Sequence, residues 1–264
     1  MNQHRVWRQT NYQNMSNQYS RRTFLQMSSF AAILPGMLSS VAPGPELEIL
    51  KALFKKEDPV LWLFAGDSVT QGAHHTYGHR CYPEIFAERV RWEMRRITDI
   101  VVNSGVNGTN TSYLSGAFDW LVGKFKPSVV SVMFGINDCQ VKEITPAVFE
   151  QNLEQIIEKI RALKAIPLLQ TPNGIDQNGV AHMKTASRAR LPEYVEIIRK
   201  VAANKSVILI DNWQYWNNGG LDHFKNWLDD PMHPNAEGHT QIARLIFREL
   251  SIFDMEAFTC SGKK

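Results

Sequence analysis

Five short apolar runs, separated by longer amphipathic stretches, limit what this chain can fold into. The runs are rich in Val, Ile, Leu and Phe and lack the polar alternation of a half-exposed strand. They lie at Val60–Ala65, Ile100–Val102, Val129–Phe134, Ile166–Gln170 and Val207–Ile210. Such runs are typical of parallel strands covered on both faces, and parallel strands need crossover connections, usually helices.

The stretches between the runs carry helical patterns. Helices are predicted over Pro83–Arg96, Pro192–Asn204 and Ala236–Leu250 from apolar residues at helical spacing. Thr145 followed by Pro146 predicts a further helix start, with a capping hydroxyl and a proline at the first helical position. Alternating strands and helices predict a doubly wound α/β sheet, in which ligands bind at the carboxyl ends of the strands.

The first two runs are followed by motifs that contain glycine. In Gly66-Asp67-Ser68, the glycine permits a sharp turn after which Ser68 enters the next loop or helix, where backbone N–H groups can face an oxyanion. The glycines of Asn103-Ser104-Gly105-Val106-Asn107-Gly108-Thr109 permit a tight backbone with a free N–H. Taken alone, each motif also fits an ordinary turn.

Two further motifs follow the third and fifth runs. Gly135-Ile136-Asn137-Asp138 offers the Asn137 amide as a donor to an oxyanion, with an Asx turn as the alternative. Asp230-Pro231-Met232-His233 offers a base and a carboxylate to orient it, as a nucleophilic hydroxyl requires. The spacing predicts Asp230 and His233 on one side of a helical or 3₁₀-like turn, and a surface Asp-His pair is the alternative.

Together the four motifs resemble the sequence blocks of the SGNH (GDSL-like) hydrolase family, over roughly residues 60–250. The resemblance implies a three-layer α/β/α sandwich of the flavodoxin-like SGNH type, with a five-stranded parallel sheet. It also implies Ser68 as nucleophile, His233 as general base and Asp230 as the residue that orients the base.

The same resemblance implies an oxyanion hole formed by the backbone N–H groups of Ser68 and Gly108 and the side-chain amide of Asn137. Gly105 competes with Gly108 for this role, and the place of the glycine at the end of the family's second block favours Gly108. Val69 stands where many members carry Leu, and this apolar exchange affects no predicted role.

The predicted reaction is hydrolysis of a carboxylic ester through an acyl-enzyme, with no metal or other cofactor. Segment 211–230 is rich in aromatic residues, which can stack on sugar rings or pack into the core. A carbohydrate O-acetylesterase acting on a small-molecule or polysaccharide ester is therefore expected. A lipase or lysophospholipase and an acyltransferase are alternatives within the family, and a non-catalytic carbohydrate-binding protein is a more distant one. The aromatic residues are Trp213, Tyr215, Trp216, Phe224 and Trp227.

Three histidines, His74, His75 and His79, follow the nucleophile motif. His74 and His75 either line the pocket or are solvated in a loop. A metal site is not predicted, because no helical i,i+4 histidine pair or set of carboxylates accompanies these histidines.

Residues 1–42 have the pattern of a targeting signal. Arg21 and Arg22, followed by Thr-Phe-Leu, resemble a twin-arginine signal, and an apolar stretch from Met27 to Ala42 ends in small residues. Pro35 and the short apolar run argue against a membrane-spanning helix, which needs about 20 apolar residues. We expect an exported protein, periplasmic or extracellular and tethered if the signal is not cleaved, with its hydrolase domain at residues 43–264. A disordered basic tail is the alternative.

The net charge of +3 is carried by this segment. Residues 1–42 contain four of the 29 basic residues and none of the 26 acidic ones, which leaves 25 basic against 26 acidic residues elsewhere. Because the remainder has no basic excess, no nucleic-acid partner is predicted. Cys81, Cys139 and Cys260 are too few for a disulfide framework or a zinc site, although one pair remains open.

Overall fold

A computed structural model describes residues 45–183 and 187–262, and the predicted targeting signal lies outside these residues. Five parallel strands form one sheet with the order β2-β1-β3-β4-β5. Both ends of each strand agree with a predicted apolar run to within one residue. The strands are β1 (Leu61–Gly66), β2 (Ile100–Asn103), β3 (Val129–Met133), β4 (Ile166–Gln170) and β5 (Ile208–Ile210).

Helices connect the strands, and in the described ranges none is long and apolar enough to cross a membrane. The helices are α1 (Pro45–Lys55), α2 (Ser68–Gln71), α3 (Tyr82–Ala87), α4 (Thr111–Gly116), α5 (Phe118–Leu121), α6 (Pro146–Ala162), α7 (Gln177–His182), α8 (Leu191–Asn204), α9 (Asn212–Asn217), α10 (Leu221–Phe224), α11 (Ala236–Glu249) and α12 (Phe258–Ser261). A π-helical segment, Glu88–Glu93, continues α3, and 3₁₀ turns occupy Gly123–Phe125, Asp138–Gln140 and Lys225–Trp227.

The predicted helices are confirmed with small shifts in their ends. Thr145 caps α6 as expected, because its hydroxyl accepts a hydrogen bond from the Val148 N–H. The helix predicted to start at Pro83 begins one residue earlier, at Tyr82. It changes to π-helical hydrogen bonding from Glu88 onward.

The helices form a layer on each face of the sheet. On one face, α6 packs against α4 and α8, while α3 packs against α11 on the other. Aromatic contacts join the second layer to the sheet, since Phe86 of α3 meets Trp62 and Phe64 of β1 edge to face. This is the expected three-layer α/β/α sandwich. Apolar side chains on both faces of the sheet are buried against the two helical layers and form the core.

The strand order determines where a ligand site forms. From β1 the chain continues to β2 on one side, while β3 lies on the other side of β1 and leads on to β4. The connections diverge between the carboxyl ends of β1 and β3, and such a switch point leaves a crevice in doubly wound sheets. Ser68 follows β1, Gly108 follows β2 and Asn137 follows β3 at this edge. Within the described residues all three cysteines are buried free thiols.

Candidate active site

Ser68 is the first residue of α2, two positions after the end of β1. The buried carboxylate of Asp67 caps this short helix by accepting a hydrogen bond from the Val69 N–H. A Cβ on Gly66 would lie 2.0 Å from Thr70 Oγ1 and 2.8 Å from the Met133 carbonyl oxygen. Only glycine fits at this position. Its lack of a side chain lets the turn that carries the half-buried Ser68 approach the end of β3 closely.

A chain of hydrogen bonds connects Ser68, His233 and Asp230. Ser68 Oγ lies 3.0 Å from His233 Nε2, and His233 Nδ1 lies 2.8 Å from Asp230 Oδ2. The other oxygen of Asp230 accepts the backbone N–H groups of Met232 and His233 at 2.8 and 2.7 Å. The residues predicted as nucleophile, base and orienting group are therefore within hydrogen-bonding distance of one another.

The predicted helical turn between Asp230 and His233 is wrong. The segment is a bend without helical hydrogen bonding, and the Asp230 side chain closes it by accepting two backbone N–H groups. Pro231 has no N–H to donate and fixes its own φ, which favours this side-chain-closed turn. The two side chains still meet, because the turn rather than a helix brings them together.

Burial and hydrogen bonding act in opposite directions on Asp230. Burial alone raises the pKa of its carboxyl, but hydrogen bonds from the His233 side chain and from the His233 and Met232 N–H groups outweigh it, so the pKa is lowered. An ionised Asp230 accepts the proton of Nδ1, and the lone pair of a neutral His233 is then at Nε2, facing Ser68. This is the tautomer that a general base needs.

Besides the Ser68 N–H at the start of α2, the predicted oxyanion donors lie on the loops after β2 and β3. Asn137 is buried and donates one N–H of its amide to the Thr109 carbonyl at 2.9 Å, which leaves its second N–H free. Gly105 donates its N–H to Asn103 Oδ1. Gly108, by contrast, has a φ of 74°, and its N–H has no acceptor in the described part of the chain. The geometry therefore favours Gly108 over Gly105 as an oxyanion donor.

Asp138, for which the sequence predicted no role, ties the second motif to the third. Its buried carboxylate accepts hydrogen bonds from the Thr111 N–H at 2.9 Å, the Thr111 hydroxyl at 2.5 Å and the Gly135 N–H at 3.0 Å. Burial raises the pKa of this carboxyl. The contacts fix the start of α4 against the loop that carries Asn137, so Asp138 supports the loop of a predicted oxyanion donor.

His75 lies in the site, not in a solvated loop. Its ring stacks on that of His233 with centroids 3.9 Å apart and planes 4° from parallel, and its Nδ1 lies 2.8 Å from Asp229 Oδ2. The hydrogen bond with Asp229 raises the pKa of the exposed Tyr77 hydroxyl, which places Tyr77 in the same group. The sequence predicts His75 as a possible pocket residue but does not predict a role for Asp229. The one sequence feature that indicates a role for Asp229 is its position next to Asp230.

One group of possible metal ligands lies in the described ranges. His75, Asp230 and His233 each offer an atom within 4.8 Å of the others. The two imidazole rings are parallel and stacked, so their lone pairs do not converge on one point as tetrahedral or octahedral coordination requires. Each Nδ1 is also occupied by a carboxylate. The arrangement therefore fits two hydrogen-bonded pairs better than a metal centre.

The aromatic residues of segment 211–230 pack mainly into the protein. Trp216 and Phe224 are fully buried, so for these two residues packing into the core holds and stacking on a sugar does not. Trp213, Tyr215 and Trp227 are half-buried against the core. The ring of Trp227 contacts those of Tyr215 and Trp216 at centroid distances of 6.0 and 5.2 Å. Composition alone does not distinguish a buried aromatic cluster from an exposed sugar platform.

Residues 64–241, more than half of the chain, match the sequence profile of the GDSL-like lipase/acylhydrolase family. The chain belongs to this family. The predicted fold and enzyme class are confirmed, and the protein is a carboxylic ester hydrolase of the GDSL (SGNH) type.

Two relatives extend this comparison at the sequence level. An acetylxylan esterase of Geobacillus stearothermophilus is 24% identical over 206 residues, which cover 71% of this chain and 92% of that protein. The lipoprotein YqeF of Bacillus subtilis (strain 168) is 30% identical over 172 residues, which cover 57% of this chain and 70% of that protein.

Solved structures share the fold. LAE5, an α/β hydrolase from the metagenome of Lake Arreo, superposes with a TM-score of 0.62 at 22% identity, over 74% of this chain and 98% of that one. A variant of Axe2, an acetyl-xylooligosaccharide esterase from Geobacillus, gives a TM-score of 0.60 at 22% identity, over 74% and 96% of the two chains. Other Axe2 structures are of catalytic mutants of a serine, a histidine and an aspartate.

Proposed function

We propose that the protein hydrolyses O-acetyl groups on carbohydrates, with Ser68 as nucleophile, His233 as general base and Asp230 as its orienting group. The observation that carries the proposal is the unbroken hydrogen-bond chain from Ser68 Oγ through His233 to Asp230, with distances of 3.0 and 2.8 Å. A hydroxyl nucleophile, a base and an orienting acceptor in this order are the arrangement used for acyl transfer.

The first half of the reaction forms an acyl-enzyme. His233 Nε2 removes the proton of Ser68 as its Oγ attacks the ester carbonyl, and the developing imidazolium is stabilised by the ionised Asp230. His233 then gives the proton to the alcohol oxygen, and the C–O bond of the ester breaks. In the second half, water attacks the acyl group with His233 again as base, which releases acetate and restores Ser68.

The negative charge on the tetrahedral intermediate requires hydrogen-bond donors. The N–H groups of Ser68 and Gly108 and the free N–H of Asn137 are the proposed donors, since all three residues follow strands at the same edge of the sheet. Thr109, whose carbonyl accepts the other Asn137 N–H, holds that amide in place before substrate binds. Pre-positioned donors are effective because they need no reorganisation during the reaction.

A small acyl group on a sugar is favoured over a long lipid chain. Relatives in sequence and in structure are named acetylxylan and acetyl-xylooligosaccharide esterases. A lipase needs an exposed apolar surface near its nucleophile. In the described ranges, Trp92, Ile97 and Ile100 are exposed around the amino end of β2, opposite the strand ends that carry Ser68. Beside the site, the exposed side chain of Tyr77 carries a hydroxyl.

The proposal is tested with p-nitrophenyl acetate, butyrate and octanoate, with Ser68→Ala as the matched control. We expect hydrolysis to be fastest on the acetate and to be abolished in Ser68→Ala. A preference for octanoate would indicate a lipase or lysophospholipase. Acyl transfer to an added sugar in place of acetate release would indicate an acyltransferase. Full activity in Ser68→Ala would refute the proposed nucleophile.

We further propose that residues 1–42 direct export through the twin-arginine route to the periplasm or beyond. The support is the Arg21-Arg22 pair, the apolar stretch that follows and the lack of acidic residues. One relative is named a lipoprotein, which agrees with a location outside the cytoplasm. Export favours an extracytoplasmic polymer or nutrient over a cytosolic metabolite as the substrate.

A further inference from the structure

Two parallel imidazole–carboxylate pairs occupy the site. His75 stacks on His233 with ring centroids 3.9 Å apart and planes 4° from parallel. His75 Nδ1 lies 2.8 Å from Asp229 Oδ2, just as His233 Nδ1 lies 2.8 Å from Asp230 Oδ2. The proposed mechanism uses only the second pair, so the first pair has no role in it.

The hydrogen bond to Asp229 determines which nitrogen of His75 is free. The bond from His75 lowers the pKa of the Asp229 carboxyl, and an ionised carboxylate only accepts hydrogen bonds. Nδ1 of a neutral His75 therefore carries the proton, and Nε2 keeps its lone pair. No protein group in the described ranges donates to this nitrogen. His75 thus presents an unused acceptor, and its side chain is 18% exposed.

The stacking places this acceptor beside the reacting atoms. His75 Nδ1 lies 2.8 Å from Asp229 and 3.8 Å from Asp230, so both rings direct Nδ1 toward the same pair of acidic residues. Their Nε2 edges therefore both face away from that pair. For His233 this edge meets Ser68 Oγ at 3.0 Å, and His75 Nε2 lies on the same side of the stack.

We propose that His75 is a substrate-binding residue that accepts a hydrogen bond from a hydroxyl next to the ester in the alcohol part of the substrate. The alcohol oxygen must approach His233 Nε2, because that nitrogen protonates it when the acyl-enzyme forms. A hydroxyl on the neighbouring carbon then lies toward the stacked ring. The inference rests on the proposed esterase mechanism and defines its substrates as monoacetylated polyols and sugars with a free vicinal hydroxyl.

A purely structural role of His75 predicts a different result. A ring that only holds His233 in its plane would affect every ester by the same factor, because His233 acts on all of them. A hydrogen bond to the alcohol affects only esters that carry the hydroxyl. The ratio of kcat/KM for two esters with the same acyl group therefore separates the two roles.

The test compares glycerol 1-acetate with propyl acetate, which share the acetyl group and differ in the hydroxyls of the alcohol. Acetate release is followed in a pH-stat for the wild type, His75→Phe and His75→Asn, and His79→Phe is the matched control at an exposed position of the same loop. His75→Phe keeps a ring against His233 without nitrogen. His75→Asn keeps a donor toward Asp229 and has no group at the Nε2 position.

The wild type is expected to prefer glycerol 1-acetate. Both His75 variants should lower the glycerol-to-propyl ratio by about tenfold, the loss of one hydrogen bond, whereas His79→Phe keeps the wild-type ratio. An equal fall on both esters, or an unchanged ratio, would overturn the substrate contact. If His75→Phe fails to fold, as judged by circular dichroism, the ratio in His75→Asn decides.

A parallel assay separates this inference from the carbohydrate proposal. Acetylated xylobiose is incubated with the wild type, and acetate release is measured. A wild type that prefers glycerol 1-acetate through His75 but leaves acetylated xylobiose intact would refute the carbohydrate substrate while the role of His75 stands. Hydrolysis of acetylated xylobiose together with an unchanged glycerol-to-propyl ratio in the His75 variants would support the carbohydrate substrate and refute the role of His75.

Discussion

At the scale of single residues, Asn137 shows how the site is held ready for the reaction. One N–H of its amide is taken up by the Thr109 carbonyl, and its oxygen accepts a hydrogen bond from Gln140 Nε2 at 3.4 Å. These two contacts fix the orientation of the amide. The remaining N–H has no acceptor among the described residues and is free to donate to a substrate. A donor held in this way contributes to the transition state rather than to ground-state binding.

Replacing this amide tests the role of the donor. Asn137→Ala is expected to lower kcat on p-nitrophenyl acetate by about 10²–10³, the usual effect of removing one oxyanion donor. Asn204→Ala is the control, because Asn204 is exposed at the end of α8 that leads into the amino end of β5, away from the nucleophile. Near-wild-type turnover in Asn137→Ala would remove Asn137 from the oxyanion hole.

A second residue-scale prediction concerns Asp67, the cap of the nucleophile helix. Burial raises the pKa of its carboxyl to about 7, whereas in the unfolded chain the group is ionised above about 4. Between these values the folded state binds more protons, so the contribution of Asp67 to stability falls as pH rises from about 4 to 7. At pH 8 the loss is on the order of 4 kcal/mol.

Asp67→Asn is expected to remove that part of the pH dependence, since an amide oxygen still accepts from the Val69 N–H. The measurement is the free energy of unfolding in urea at pH 4.5, 6 and 8 for the wild type and the variant, with Asp58→Asn at an exposed position as control. The variant should gain stability relative to the wild type as pH rises. Parallel pH curves for the two proteins would show that Asp67 is ionised throughout.

At the scale of elements, the position of α2 depends on a contact with the loop after β2. A Cβ on Gly105 would lie 2.5 Å from the Gln71 nitrogen and 2.9 Å from the Thr70 carbonyl carbon. Both are backbone atoms and cannot move aside without displacing the helix that begins with Ser68. Glycine at this position therefore sets how closely the second motif approaches the nucleophile.

Gly105→Ala is expected to displace α2, to destabilise the protein by about 1–3 kcal/mol and to lower kcat more than tenfold. Gly116→Ala, where an added Cβ meets nothing within 4 Å, is the matched control and should leave both quantities close to the wild type. Thermal unfolding and p-nitrophenyl acetate turnover measure the two effects. An unchanged kcat in Gly105→Ala would show that the position of α2 does not depend on this contact.

The elements also show what the sequence can and cannot predict. The strands and α6 were predictable because apolar runs and the Thr145-Pro146 start are local signals. The Asp230–His233 contact was predictable from spacing, although the turn that makes it was not. His75 reaches Asp229 across 154 residues, and no local pattern reports such a contact. The burial of Trp216 was equally hidden, since an aromatic residue fits a core or a sugar site.

At the scale of the whole molecule, the strand order gathers motifs that are far apart in the sequence at one edge of the sheet. Ser68 and His233 are separated by 165 positions and meet because β1 is an interior strand, at the point where the connections diverge. The site is thus a property of topology, and the residues supply its chemistry. The fold class was predictable for the same reason, since apolar runs and crossover helices admit few other arrangements.

Export is also a property of the whole chain. Replacing both Arg21 and Arg22 by Lys is expected to retain the full-length protein in the cytoplasm, because the twin-arginine route requires the arginine pair. Fractionation of a bacterial host followed by immunoblotting measures the distribution of the protein. The control is the double Arg5→Lys, Arg8→Lys variant, which also replaces two arginines without changing the charge. Equal export of the two double variants would contradict the twin-arginine signal.

The proposal as a whole depends on Ser68 acting as a nucleophile activated by His233, and covalent trapping measures this most directly. The protein is treated with a fluorophosphonate, which phosphonylates activated serines, and the adduct is located by peptide mass spectrometry. We predict one adduct, on Ser68, that is absent in Ser68→Ala and forms far more slowly in His233→Ala. An adduct on another residue, or esterase activity that survives in Ser68→Ala, would contradict the account.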